Sequence, residues 1–433
     1  MRISVVGCGY LGAVHASAMA HLGHEVIGID VDERKIEALA AGRPPFFEPG
    51  LADILTSATS TGRLRFSTDI GDAAGAEVHF IAVGTPQMAG SDAADLRYVD
   101  AAVESLAPHL GEGALVVGKS TVPVGTAGRL AERLAEIAPH ARLAWNPEFL
   151  REGFAVKDTI EPDRLVYGVA DARAVHQLDD VYRAAIDAGT PRLVTDYATA
   201  ELVKVAANAF LATKISFINA MAEIAEVTGA DVTQLADALG HDVRIGRRFL
   251  NAGVGFGGGC LPKDIRAFSA RAEELGRGEA VGFLREVDAI NLRRRQRVVD
   301  LAVEALGGTA YRRRIAVLGV TFKPDSDDVR DSPALDVAVQ LTGLGAEVVA
   351  TDPQGIENAR ARHPQLEYVA ATAEALRGAD LVVLVTEWQE YRELDPVATG
   401  ALVGRRVIID GRNVLDPEAW RGAGWTYHGL GRP

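Results

Sequence analysis

The sequence predicts an α/β protein: two doubly wound parallel-sheet domains joined by a long central helix and further helices. Three observations carry this expectation. The chain has 433 residues, and at roughly 100–200 residues per domain it should hold two or three. Two stretches share one rhythm of short strands and helices. Between them, from Arg192 to Glu226, there is no Gly or Pro.

The first stretch opens with RISVVGCGYLG, returns at HEVIGIDVD, and continues through AEVHFIAVGTP and GALVVGKSTVPV. The second opens with RRIAVLGVTFK and continues through AEVVATDPQ, ADLVVLVTEW and RRVIIDGRN. In each, β-branched runs end in Gly, Asp, Thr or Asn and alternate with Ala/Leu-rich helical segments. Near-continuous apolar strands belong to a parallel sheet covered on both faces. Ligands of such sheets sit beyond the carboxyl ends of the strands, where these polar residues lie.

The middle region predicts one helix over residues 197–228, ending near Gly229. At 1.5 Å per residue it would span roughly 45 Å. Its apolar residues, among them Leu202, Val205, Phe210, Phe217, Ile218 and Ile224, surround more than one face. Such a helix must be covered on several sides, here by the α/β domains and by a second copy of the chain. The expected domains are 1–195, 196–305 (helical, dimerising) and 306–433, the last boundary marked by Gly307-Gly308.

Lys plus Arg is 45 against 59 Asp plus Glu, a net charge of −14. That balance disfavours a nucleic-acid binder, which needs a basic face, but leaves room for a small anionic substrate held by a few local cations. The two cysteines, Cys8 and Cys260, imply no disulfide framework. No uninterrupted apolar run reaches the ~18 residues of a membrane span, and no signal peptide precedes the first strand. The expectation is a cytoplasmic protein without a membrane contact. The ten histidines show no metal-ligand spacing with the cysteines, so no metal is expected.

Gly7, Gly9 and Gly12 form a G-x-G-x-x-G between a strand and a helix. Glycine there lets the chain turn and lets backbone approach a pyrophosphate at the helix N-terminus. Asp30, at the end of the next strand, stands where a ribose-binding acid belongs. It favours NAD, since it would repel a 2′-phosphate; Lys35 either touches the ribose edge or is solvated. The α/β domains are therefore expected to be Rossmann-like.

The densest cluster is GVGFGGGCLPKD, residues 253–264, with five glycines in its first seven positions. They deliver Cys260, with Lys263 and Asp264 just beyond. One reading is a tight turn with a buried thiol. The other is a nucleophile that captures an aldehyde as a thiohemiacetal, which then loses a second hydride and becomes a thioester. Lys204 and Asn208, one helical turn apart, can face one site; alternatively Lys204 is a surface lysine paired with Glu201.

GxGYLG, STVPVGT, NPEFLREG, the Lys204/Asn208 helix, GFGGGCLPKD and GVTFKPDSDDVRDSPAL occur here in the order seen in the UDP-glucose/GDP-mannose dehydrogenase family, which the whole chain resembles. The resemblance implies a four-electron oxidation of a nucleotide-sugar C6 alcohol to a carboxylate, with two NAD reduced and the aldehyde retained. The wording of the cysteine segment resembles the UDP-glucose and GDP-mannose branches more than the N-acetyl branch. UDP-glucose is the expected substrate, with GDP-mannose or another nucleotide sugar as the alternative.

Residue roles follow by resemblance. Cys260 matches the nucleophile, Lys204 the cation stabilising the alkoxide and oxyanion, and Asn208 a hydrogen bond to the same oxygen. Asp264 resembles the acid that works through water in alcohol oxidation, its alternative being a helix N-cap. Glu148 resembles the base for thioester hydrolysis. Glu152 looks closer to nicotinamide and substrate, and Thr121 matches a hydroxyl near the reacting carbon. Tyr10, Leu11, Thr85, Lys263 and Arg330 resemble cofactor contacts. Phe149, Leu150, Arg151, Gly257 and the Phe249-Leu250-Asn251 backbone would border the sugar nucleotide. Phe322-Lys323 and Arg412 would reach the sugar or diphosphate, and Arg244 the neighbouring subunit's substrate. Gly259 departs from the family's usual Ser. Two other classes stand beside this reading. A two-electron β-hydroxyacid dehydrogenase would need neither Cys260 nor the second α/β domain, and a non-catalytic nucleotide-sugar binder would not need the Cys260/Lys204/Asp264 set.

Overall fold

A computed structural model describes residues 1–433. The chain divides into two compact units, Met1–Ala207 with Ala270–Gly278, and Asn208–Ser269 with Glu279–Pro433.

The first unit carries an eight-stranded sheet. Its strands are β1 (Arg2–Val6), β2 (Glu25–Ile29), β3 (Leu64–Ser67), β4 (Val78–Ile81), β5 (Leu115–Gly118), β6 (Arg142–Trp145), β7 (Leu165–Val169) and β8 (Arg192–Thr195), in the order β3-β2-β1-β4-β5-β6-β7-β8. The order reverses between β1 and β4, which sets the ligand crevice beyond their carboxyl ends. Side chains alternate across the sheet: Leu115 and Val117 enter one apolar cluster and Val116 the other. Each such fully buried residue contributes about 1.5–3 kcal/mol.

One feature departs from the all-parallel expectation. β6 and β7 pair antiparallel. No crossover helix is then needed, so the Asn146–Arg164 connection, which contains NPEFLREG, begins and ends at the carboxyl end of β6.

The second unit carries six parallel strands, β9 (Arg314–Leu318), β10 (Glu347–Thr351), β11 (Glu367–Tyr368), β12 (Leu381–Leu384), β13 (Val407–Asp410) and β14 (Thr426–Gly429), in the order β11-β10-β9-β12-β13-β14. The two sheets repeat one local device. Gly7 donates to Ile29 O at 2.7 Å and Gly319 to Thr351 O at 2.9 Å. The next residue after β2 is Asp30, and after β10 it is Asp352. Asp352 is closed off by its own domain. Its Oδ2 accepts from Val320 N, Thr321 N and the Trp388 indole, and its Oδ1 from Gln354 N and Gly355 N.

The central helix runs from Tyr197 to Thr228, the predicted span, and stops at Gly229, whose φ is +77°. It packs Ala200 in the first unit and Ala209, Ala212, Ile218 and Ala222 in the second. Leu202, Phe210, Phe217, Ile224 and Val227 remain exposed. By length and composition alone this helix is apolar enough to cross a membrane, although no uninterrupted apolar run within it has that length. Lys204, Asn208 and Lys214 interrupt its apolar runs, and much of its apolarity is used against protein.

Asp352→Ala should strand several buried N–H groups at once. We expect the second unit to lose at least about 3 kcal/mol, read as faster hydrogen exchange across β9 and β10 with little change in β1 and β2.

Candidate active site

In the first unit, a Cβ on Gly12 would lie 1.8 Å from Gly7 O, so only glycine lets the Tyr10–His21 helix start this close to β1. Gly9 has open space where a side chain would be, and no side chain caps this helix. Its first N–H groups are left for an anion. Asp30 Oδ2 accepts from Cys8 N and from Lys35 Nζ, both at 2.8 Å. Lys35 thus orients the acid. Cys8 is buried, and burial first, then the Asp30 charge, pushes its thiol up to about 12. This cradle suits a dinucleotide with an unphosphorylated ribose.

Tyr10 and Leu11 sit in the first turn of that helix. Tyr10 donates its hydroxyl to Glu48, whose other bonds come from Gly153 N at 2.6 Å and Ala155 N at 2.7 Å. Burial, then Glu48, then the Glu152 charge pushes the Tyr10 phenol upward. Thr85 donates to Thr121 O at 2.8 Å, tying together the loops that follow β4 and β5.

NPEFLREG is held by its own backbone. Glu148 Oε1 accepts from Phe149 N at 2.7 Å and Leu150 N at 3.0 Å. The Lys204 ammonium lies 5.6 Å from the Phe149 ring centroid, with Arg164 at 3.9 Å from the same centroid. Lys204 is buried and Glu201 is not its partner. Glu201 instead accepts from Gly125 N at 2.7 Å and Ala127 N at 2.6 Å, which removes the surface-pair alternative. Arg151 is committed to Asp158 at 2.6 Å.

In the second unit, Cys260 is exposed and immediately precedes the Leu261–Glu274 helix, whose N-terminal dipole favours a thiolate. Asp264 lies in the first turn and is not its N-cap. Its Oδ2 accepts from Asn208 Nδ2 and its Oδ1 from Lys263 Nζ, both at 2.6 Å. The glycines before Cys260 admit the FKPDSDDVRD segment. A Cβ on Gly259 would lie 2.4 Å from the Arg330 guanidinium carbon, and one on Gly257 2.2 Å from Asp331 O. The departure from Ser at Gly259 therefore has a structural counterpart in Arg330. Arg330 also forks onto Asp328, and Lys323 lies 5.7 Å from the Phe322 ring centroid.

Arg412 braces this loop. It donates to Val385 O, Gly255 O and Phe322 O at 2.8, 2.8 and 3.1 Å, so most of its five donors are already engaged. Phe249 adopts φ +66°, and Arg247 holds Leu250 O and Asn251 Oδ1. Arg244 is largely exposed and paired with Asp242.

Family models match three successive segments: the NAD binding domain of the UDP-glucose/GDP-mannose dehydrogenase family over residues 1–186, its central domain over 198–293 and its UDP binding domain over 316–417. The chain belongs to the UDP-glucose/GDP-mannose dehydrogenase family. Members of this family are NAD-dependent oxidoreductases, and the NAD binding domain falls on the Gly7–Asp30 cradle. The UDP binding domain supports a nucleotide-sugar substrate. The chain is 42% identical to a UDP-glucose 6-dehydrogenase of Rhizobium meliloti (strain 1021), covering 100% of both. It resembles the UDP-glucose dehydrogenase structure of the archaeon Pyrobaculum islandicum with a TM-score of 0.91 at 42% identity, covering 100% of this chain and 98% of that one. Against a GDP-mannose dehydrogenase of Pseudomonas aeruginosa the TM-score is 0.54 at 30% identity, covering 99% and 100%.

Sequence reasoning missed several residues that contact the expected ones. Glu48 couples Tyr10 to the Gly153 loop, and Lys119 pairs with Glu148 and bonds to Asn146 and Tyr182. The available signal was Lys119 itself, a lysine at the carboxyl end of a buried strand.

Asp30→Ala should raise the NADH dissociation constant roughly 10–100-fold, measured by fluorescence titration. Lys35→Ala should have a smaller effect of the same sign.

Proposed function

We propose that the chain is an NAD-dependent UDP-glucose 6-dehydrogenase that makes UDP-glucuronate through a covalent adduct on Cys260. The observation that carries this reading is an exposed cysteine at a helix N-terminus, four residues before an aspartate bonded to both Asn208 and Lys263. UDP-glucose is favoured over GDP-mannose by the higher TM-score against the enzyme named for it.

NAD held at the Gly7, Gly9, Gly12 and Asp30 cradle would supply the hydride acceptor for each of the two oxidations of the sugar C6. Asp264, held by Asn208 and Lys263, takes the C6 hydroxyl proton through a water. Lys204 and Asn208 stabilise the alkoxide, then the tetrahedral oxyanion. The Cys260 thiolate adds to the aldehyde carbon, and after the second hydride leaves, the carbon is a thioester. Glu148 takes a proton from water as its oxygen attacks that carbon; the C–S bond breaks and the thiolate returns. In total the alcohol, water and two NAD give the carboxylate, two NADH and three protons.

Cofactor contacts are assigned to Gly7, Gly9, Gly12, Tyr10, Leu11, Asp30, Lys35, Thr85, Thr121, Glu152, Lys263 and Arg330. Domains 1–195, 196–305 and 306–433 would divide the work, with the cytoplasmic enzyme a homodimer through the exposed Leu202/Phe210/Phe217/Ile224 face of the central helix.

The test is stoichiometry. About two NADH should form per UDP-glucose consumed; about one would favour a simple dehydrogenase, and none a binder. Cys260→Ala should abolish uronate formation while NAD affinity is kept, and uronate production at the normal rate by that variant would sink the covalent route.

A further inference from the structure

One buried cation has no role in that scheme. Lys119, the residue after β5, is 4% exposed. An ammonium has three hydrogens, and three acceptors meet it: Asn146 Oδ1 at 3.0 Å, Tyr182 Oη at 3.2 Å and Glu148 Oε2 at 3.0 Å. Tyr182 Oη donates onward to Asn146 Oδ1 at 2.6 Å, and Asn146 Nδ2 to Val166 O at 3.0 Å. The acceptors come from the end of β6, from the loop beyond it and from the residue after the Ala172–Val181 helix.

The surroundings leave Lys119 no other anion. Its nitrogen lies 5.9 Å from the Phe80 ring centroid and 5.7 Å from that of Tyr182. Burial, then the Glu148 charge, holds the Tyr182 phenol well above its ordinary range, so Tyr182 stays a donor to Asn146. His15, packed edge-on to Phe80, is kept neutral by burial first and by the Lys119 charge next.

Glu148 is equally constrained. A carboxylate has about four acceptor positions. Phe149 N and Leu150 N fill two on Oε1, and Lys119 fills one on Oε2. One position on Oε2 is left. We propose that Lys119 is a positioning residue for thioester hydrolysis: it aims that last acceptor position of Glu148 at the attacking water. A lysine suits the task because its three rotatable donors reach three elements from one point. The proposal rests on the reading of Glu148 as the water-activating acid.

The test uses the full chain with NAD and UDP-glucose, following NADH by rapid mixing and the protein by intact mass. Lys119→Met should lower steady-state turnover roughly 10–100-fold, with KM little changed. Its first turnover should still release about two NADH per site, and an acyl adduct on Cys260 should accumulate. Glu148→Gln should accumulate the same adduct, and adding Lys119→Met to it should slow hydrolysis no further. Tyr182→Phe, which keeps the charge and removes one acceptor, should give a weaker build-up of adduct and reports on the network if Lys119→Met does not fold. If Glu148→Gln accumulates adduct while Lys119→Met and Tyr182→Phe hydrolyse normally, Lys119 has no such role and Glu148 keeps its own. If the NADH burst of Lys119→Met falls as far as its turnover, the lysine is merely structural and the proposal is overturned. If Glu148→Gln builds no adduct, the reading of Glu148 fails and that of Lys119 falls with it.

Discussion

The presentation of Cys260 depends on backbone meeting backbone. Gly257 lies against Asp331 O at a distance that excludes any Cβ, while Gly259 faces the movable Arg330 guanidinium. Gly258 N fixes the register by donating to Arg330 O at 2.9 Å. Asn291 locks the other end, accepting from Phe256 N at 2.7 Å and donating to Phe256 O at 2.9 Å. Five glycines carry a large entropic cost on folding, and side-chain bonds from Asn291 and Arg412 offset it locally. The result is a thiol carried on a rigid turn at a helix N-terminus, where geometry is better controlled than on a free loop.

The two α/β sheets show how one device diverges. Each has a left-handed glycine after its first strand and an aspartate after its second. In the first unit the aspartate keeps one basic partner, Lys35, and stands beside an uncapped helix with open space at Gly9. In the second, Thr321, Trp388 and four backbone N–H groups fill Asp352. The same position keeps a lysine-paired carboxylate beside the open helix start in one repeat and holds the fold in the other. Asp352 is thereby fully engaged within the fold, and Phe322 and Arg330 lie on the segment that touches the cysteine loop.

What could be read from the sequence was what depends on local pattern. The central helix was legible to the residue, because neither Gly nor Pro interrupts it and Gly229 ends it. The dinucleotide cradle was legible because glycine spacing and Asp30 encode a backbone shape. The direction of β7 was not, since an apolar strand reads alike in both senses and only the connection decides. Neither were the partners of Arg412 or the burial of Lys204. Both depend on which distant segments fold against them, and a cation's burial leaves no mark in its neighbours' spacing. Lys119 is the extreme case, because its three acceptors are 27, 29 and 63 residues away.

Buried cations also answer how a chain of net charge −14 manages an anionic substrate. Exposed charges are screened over about 8 Å in physiological salt, so the acidic surface acts weakly on an anion beyond that distance. Inside, the effective dielectric is lower and each cation counts for more. Lys204 has an aromatic face beneath it, while Lys119 has an anion. The first has no carboxylate against it, and the second has its charge already matched. Of two buried lysines in one unit, the proposed oxyanion-stabilising role falls to the one without a carboxylate, and the proposed positioning role to the one that has one.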